Sequence, residues 1–357
     1  MNMPSVAQFL PDLESLESDK GIDLEVCQCS GCGLVQLSND PVPYFREVIR
    51  AAAVSEEMKG FRTVQFNKFI DRFSLKGKKV IEIGCGCGEY LSLLHHCGTD
   101  AYGLEQSRES VENCLTNELK VSKGFIEKSD FRMDHSPFHG FIILNFLEHL
   151  PNVNTVLRGI SNNLTDNAVG LVEVPNFDMI LKNNLFSEFT SDHLFYFTRD
   201  TLITTLKLNG FEILECNEVW HDYIISAVVK KRVKLNLEKF YNHQLKLKRE
   251  IEEYLNQSGK NKIAIWGAGH QALAIISLMD LANSVKYVVD SALFKQNKYT
   301  PATHIPIVPP ETLESDPVDT VIIMAASYSD EISRIIRQKF DKNLRVFILR
   351  DHGLEIA

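Results

Sequence analysis

The chain has 357 residues, more than one typical core accommodates, and its 44% hydrophobic and 24% charged residues fit a water-soluble protein of two domains plus extensions. A formal net charge of −9 supplies no global positive field for phosphates, which argues against nucleic acid as an obligatory partner. No apolar run approaches the length of a membrane span, and residues 1–10 lack the charged start and apolar centre of a signal peptide. The expected location is the cytoplasm, with no membrane partner, and there the eight cysteines are expected as thiols or metal ligands rather than disulfides.

Residues 1–45 form a short segment containing Cys27, Cys29 and Cys32. A closed tetrahedral zinc site takes four ligands, and no Cys or His precedes Cys27, so zinc is not expected and no metal ligand is assigned. A polar helical stretch with Glu56, Glu57 and Lys59 then leads to the basic turn Lys76-Gly77-Lys78-Lys79. From there strand and helix patterns alternate. Strands are expected at 80–83, 101–105, 141–145 and 170–174, helices through Leu91–Leu94 and near 107–119, and a closing strand pair at 211–215 and 223–230. Strands separated by helices predict a parallel sheet wrapped by helices over residues 46–232. Residues 233–258, dense in Lys, Glu and Leu, read as a long solvated linker helix. A second alternation over 259–357 has strands at 262–266, 287–290, 321–324 and 346–349. The expected fold class is α/β: two successive Rossmann-like doubly wound domains, the first with a closing antiparallel strand pair and preceded by a short N-terminal segment.

The most informative stretch is Val80-Ile81-Glu82-Ile83-Gly84-Cys85-Gly86-Cys87-Gly88-Glu89. An apolar strand breaks into glycines at alternate positions before a helix, which lets the backbone turn sharply and leaves room for a ligand pressed against it. The pattern acidic-x-Gly-x-Gly-x-Gly differs from the Gly-x-Gly-x-x-Gly of dinucleotide turns. It resembles the first motif of class I S-adenosylmethionine (SAM)-dependent methyltransferases. Ligands of doubly wound sheets sit above the carboxyl ends of the strands. Glu82, Gly84, Gly86 and Gly88 are therefore expected to bind the cofactor. Glu105 and Gln106 join them at the end of the next strand, 23 residues after Glu82, where a carboxylate can accept from ribose hydroxyls. Asn145, which ends a later strand, is likewise expected to bind the cofactor. Cys85 and Cys87 read as small turn residues. Glu148 and His149 are similar to a metal pair of a few methyltransferases, but read here as a polar helix start near the cofactor.

Three further segments resemble the sugar C-methyltransferases of deoxysugar biosynthesis, in which a zinc-binding segment, a SAM domain and a C-terminal Rossmann-like domain follow in this order. Cys29-Ser30-Gly31-Cys32-Gly33-Leu34-Val35-Gln36-Leu37 is similar to the second cysteine knuckle of that family, whose first Cys-x-x-Cys pair is missing here. Asp192-His193-Leu194-Phe195-Tyr196-Phe197 is similar to its acidic-His-x-x-Tyr-Phe catalytic element. Asp290, Lys295, Tyr299-Thr300-Pro301-Ala302-Thr303-His304-Ile305-Pro306-Ile307 and Ser327-Tyr328-Ser329-Asp330-Glu331-Ile332 follow its C-terminal pattern.

The resemblance implies methyl transfer from SAM to a nucleotide-linked sugar, at a carbon beside a keto group. A histidine, with an unperturbed pKa of roughly 6.5, can accept protons near neutrality. His193 is accordingly the expected base, Asp192 its orienting partner, and Tyr196 a donor to the developing oxyanion. Thr190, standing where the family often has tyrosine, and His221, the one match to its His-Gly-Gly-Ser segment, are the expected substrate-binding positions. Methylation of a hydroxyl oxygen on a sugar or other small metabolite is the alternative. Gly267-Ala268-Gly269-His270-Gln271-Ala272 with Asp290 also admits a nicotinamide-dependent oxidoreductase, and a noncatalytic SAM-binding protein is a third reading.

Overall fold

Short apolar runs bounded by turns become the inner strands, and the segments between them, apolar on one face only, become the covering helices. In a computed structural model of the chain, residues 3–8, 10–48, 54–258, 262–340 and 342–357 are described. They divide into two units, Met1–Lys234 and Leu235–Ala357. The expected break after residue 258 meets 259–261, which lie outside the described residues.

In the first unit, β1 (Val26–Gln28) and β2 (Val35–Leu37) form a hairpin before α1 (Glu56–Arg72). A seven-stranded sheet follows, built from β3 (Lys79–Ile83), β4 (Asp100–Glu105), β5 (Val121–Lys123), β6 (Phe138–Leu144) and β7 (Leu164–Pro175). Strand β8 (Phe195–Tyr196) lies outside this sheet, which β9 (Phe211–Val219) and β10 (Ile224–Lys231) complete. The order is β5-β4-β3-β6-β7-β10-β9, parallel except that β10 runs antiparallel to both β7 and β9. The doubly wound sheet and its closing strand pair match the expected fold class.

Helices α2 (Glu89–His96), α3 (Arg108–Thr116), α4 (Val153–Asn162), α5 (Phe177–Lys182) and α6 (Arg199–Leu208) connect the strands. Ser55, Ser107, Asn152 and Thr198 cap α1, α3, α4 and α6 by accepting from a backbone N–H three residues on. Helix α4 buries Val153, Val156, Leu157 and Ile160, the spacing of one helical face, against Phe138, Phe141 and Ile143 of the sheet. Each such fully buried side chain contributes roughly 1.5–3 kcal/mol relative to exposure.

The N-terminal segment is joined to this unit by strand pairing. Strand β2 pairs antiparallel with β8, matching Val35 to Tyr196 and Gln36 to Phe195, to give a three-stranded sheet β1-β2-β8. Sequence patterning does not reveal this sheet, because β8 has only two residues and its partner lies far upstream.

The second unit begins with α7 (Glu238–Ser258). Its Leu247 and Ile251, four residues apart, are buried in the core of that unit, and Lys246 donates to the His352 carbonyl. The segment expected as a solvated linker thus has a buried stripe. Its many charged residues hide that stripe when the composition is read as a whole. Strands β11 (Ile263–Trp266), β12 (Tyr287–Val289), β13 (Lys298–Tyr299), β14 (Pro306–Val308), β15 (Thr320–Ile323), β16 (Arg345–Arg350) and β17 (Gly353–Ile356) form a second sheet, ordered β13-β14-β12-β11-β15-β16-β17. Its inner strands are parallel and both edge strands antiparallel. Among the described residues, no helix is long and apolar enough to cross a membrane.

Candidate active site

Gly84, Gly86 and Gly88 carry the chain from β3 into α2 with φ of +69°, +54° and +90°, which glycine adopts without steric penalty. At Gly84 a Cβ would also meet the Phe146 ring at 2.7 Å, whereas at Gly86 it would meet nothing within 4 Å. The Gly86 backbone therefore faces open space. At the end of β4, the Glu105 carboxylate accepts from the Gly86 N–H at 2.9 Å and the Ser107 N–H at 2.8 Å. Burial raises its pKa, and these backbone donors oppose the shift.

Gly84, Glu105 and Gln106 line one slot together with Leu104, Phe125, Ile126 and Phe146. Glu82 is buried on β3, and Asn145 follows β6 with φ of +47° and an exposed side chain. Arg46 also lines the slot. It lies over Phe45 at 4.7 Å and Phe125 at 5.6 Å, and pairs with Glu127 at 2.9 Å. Nothing in the sequence around Arg46 signals this position, since the contact depends on a loop folded back from β2.

Beyond Asn145, residues Leu147–His149 form a single helical turn. The element carrying His193 is bound to that turn at two points. The Leu194 N–H donates to the Glu148 carbonyl at 2.9 Å, and His149 Nδ1 stands 2.8 Å from the Asp192 carbonyl oxygen. A carbonyl only accepts, so His149 Nδ1 carries the hydrogen. The His193 ring meets His149 edge to face, with centroids 4.7 Å apart. Burial, with the neighbouring His149 adding to it, pushes His193 down to about 3, so the imidazole rests neutral. Burial lowers His149 as well and raises Glu148 to about 8. Among the described residues, Glu148, His149 and His193 are the one group whose potential ligand atoms all lie within 4.8 Å of one another.

The other expected site residues are placed differently. The buried Asp192 carboxylate accepts from the Tyr44 hydroxyl at 2.5 Å and the Ala7 N–H at 3.4 Å, so it is turned toward the N-terminal segment rather than His193. The Tyr196 hydroxyl accepts from the Thr190 N–H at 3.0 Å and donates to the Thr190 carbonyl at 3.2 Å. Burial pushes its pKa up to about 12, and Thr190 itself is half-buried. His221 sits on the β9–β10 turn, where Trp220, His221 and Asp222 all have φ between +51° and +63°. Its exposed ring contacts Trp220 and stands 3.9 Å from Glu57. Among the cysteines, Cys27 is exposed while Cys29 and Cys32 are half-buried. Backbone N–H groups of Cys32 and Gly31, then the Cys32 side chain, lower the Cys29 pKa.

One buried charge pair has no sequence signal at all. Arg62 of α1 pairs with Glu173 of β7, both essentially inaccessible, and Gln65 donates to the same carboxylate at 2.5 Å. The Glu173 carbonyl accepts from the Asn145 N–H at 2.9 Å, so this pair underlies the turn after β6.

Residues 58–216 match the family described as a methyltransferase domain, and residues 231–349 match the family described as a C-methyltransferase C-terminal domain. The C-methyltransferase NovU of Streptomyces niveus is 22% identical over 370 residues, covering 92% of this chain and 86% of that protein. An S-adenosylmethionine-dependent methyltransferase structure from Clostridium acetobutylicum is 12% identical, with a TM-score of 0.42 over 53% of this chain and 96% of that one. Another, from Mesorhizobium loti, is 13% identical, with a TM-score of 0.37 over 44% of this chain and 92% of that one. Two matched families in succession, on a sheet with the glycine turn at its first crest, define a class I SAM-dependent methyltransferase. Within that class the chain is similar to the C-methyltransferases, through a relative that spans nearly its whole length.

Proposed function

We propose that this methyltransferase transfers the SAM methyl group to a carbon beside a keto group on a nucleotide-activated sugar, with His193 as general base. The observation that carries this reading is the double attachment of the His193 element to the turn after Asn145. That turn begins with Phe146, whose ring lies on Gly84 of the donor loop. The C-methyltransferase name of the relative supports carbon as the accepting atom.

SAM supplies a methyl group already activated by its sulfonium charge. Gly86 and Glu105 would meet its ribose end, with Gln106 beside them, and the apolar walls of the slot would enclose its base. Glu82 and Asn145 complete the proposed donor contacts. His193 would take the acceptor's C–H proton on a ring nitrogen. The C–H electron pair becomes an enolate and then the new C–CH3 bond, and S-adenosylhomocysteine leaves. Negative charge growing on the keto oxygen stabilises the imidazolium that forms, so a histidine neutral at rest can serve. Tyr196 would trade its Thr190 carbonyl for that oxygen, and Asp192 would act by holding the element in place. Thr190 and His221 are the proposed acceptor-binding positions. All eight cysteines are free thiols, which supports the cytoplasm as its compartment.

Incubation with methyl-labelled SAM and a panel of nucleotide sugars, read by mass spectrometry, tests the reading. A labelled methyl on carbon of a keto sugar is expected. Label on a hydroxyl oxygen instead would overturn the assigned atom, and undiminished transfer by His193→Ala would remove His193 as base.

A further inference from the structure

We infer that Glu148, His149 and His193 bind a divalent cation of the zinc class, and that the bound cation and the proton-accepting role of His193 exclude each other. The ligand atoms already lie within 4.8 Å of one another, on two buried side chains and one half-buried. Tetrahedral zinc donors stand about 3.3 Å apart, so shifts of roughly 1.5 Å would close the set.

Each side chain is prepared for this. Glu148 Oε2 is buried without a hydrogen-bond partner, and Oε1 stands 3.9 Å from His149 Nε2. A carboxylate so enclosed is costly unless a charge compensates it, and a cation there would do so. His149 donates its Nδ1–H to the Asp192 carbonyl at 2.8 Å, which leaves the Nε2 lone pair on the side of Glu148. A backbone carbonyl on the far nitrogen is the usual way a metal-binding histidine is oriented and its tautomer fixed. The His193 ring, packed edge to face on His149, has no protein hydrogen bond among the described residues.

Two imidazoles and one carboxylate suit Zn(II) or Co(II) rather than Mg(II) or Ca(II), which take oxygen shells. Three protein ligands would leave a position open to water or an acceptor oxygen. A lone pair given to a metal cannot also accept a proton, so occupancy would inhibit proton abstraction. The inhibitory half of the inference rests on the proposed base role of His193; the binding half does not.

The test is a Co(II) titration of the chelator-stripped full-length protein, followed by visible absorption. Nitrogen–oxygen ligation gives weak ligand-field bands, whereas binding at Cys29 and Cys32 gives intense sulfur-to-cobalt charge transfer. The expected signal is of the first kind, survives in C29S/C32S, and needs at least about tenfold more cobalt in Glu148→Gln. No ligand-field signal, or equal affinity in Glu148→Gln, would overturn the site. Zn(II) at saturating occupancy should suppress methyl transfer, with recovery on adding EDTA. Transfer that is unchanged or faster with the site filled would overturn the exclusion. If His193→Ala retained full transfer, the base role would fall while the cobalt titration of the unaltered protein still decided the site.

Discussion

The Tyr44 hydroxyl donates to the Asp192 carboxylate at 2.5 Å, fastening the loop after β2 to the element that carries His193. Burial first, and then Asp192, push Tyr44 up to about 12, so the hydroxyl stays a donor throughout the working pH range. Tyr44→Phe leaves a buried carboxylate without its shortest donor, and a loss of roughly 1–3 kcal/mol is expected in urea unfolding. An unchanged midpoint with unchanged methyl transfer would show that this bond supports nothing.

Gly84 and Gly86 should respond differently to alanine. Both have positive φ, but Gly84 also has the Phe146 ring 2.7 Å from the position of a Cβ. Gly84→Ala should lower both stability and SAM affinity, since ring and backbone must move together. Gly86→Ala meets no protein atom within 4 Å, so only the left-handed strain of about 1–2 kcal/mol should appear in unfolding. Calorimetric SAM titration should nevertheless find its affinity reduced, because the methyl enters ligand space. SAM binding equal to the parent in Gly86→Ala would move the cofactor away from that turn.

Arg62→Ala strands the Glu173 carboxylate in the interior. Breaking one side of a buried ion pair costs about 3–5 kcal/mol. Thermal unfolding should report a large fall, far beyond that of Arg108→Ala, where the paired arginine and Glu112 are both exposed. Comparable losses in the two variants would contradict the buried-pair account.

Stability in the presence of chelator should peak between about pH 4.5 and 6.5. Glu148 has its pKa raised from 4.5 to about 8, so its contribution is complete below 4.5 and is lost as pH rises toward 8. His193 is depressed from 6.5 to about 3, so its contribution is complete above 6.5 and is lost as pH falls toward 3. His149 shifts in the same direction as His193. Between 4.5 and 6.5 the slopes of Glu148 and His193 oppose each other, with His149 adding to the rise; above 6.5 only the carboxyl slope remains. Glu148→Gln should therefore flatten the alkaline limb and leave the acid limb in place, measured as urea midpoints across the range. A parallel shift of the whole curve would argue against Glu148 as the titrating group.

What the sequence made legible was local. The glycine turn, Glu105 at the end of β4 and the alternation of strands and helices each depend on neighbours a few residues away. What escaped it depends on distant chain. Tyr44 meets Asp192 across 148 positions, Arg62 meets Glu173 across 111, and β2 finds a two-residue partner in β8. The orientation of Asp192 was likewise beyond reach, because the acidic-His pattern gives no sign that Tyr44 stands on the other side. On α7 the difficulty was dilution, since two buried residues are lost among charges when the segment is judged by composition.

The pairing of Val35 with Tyr196 also has a temporal side. During synthesis the N-terminal hairpin leaves the ribosome long before its third strand exists. A nascent chain that has passed Leu144 already contains the whole glycine turn and the strands around it. Long-range pairings of this kind form late, after nearer contacts have removed most of the chain's freedom. The earlier-made hairpin is therefore seated late, and the glycine turn is built before the element that carries His193 can be braced.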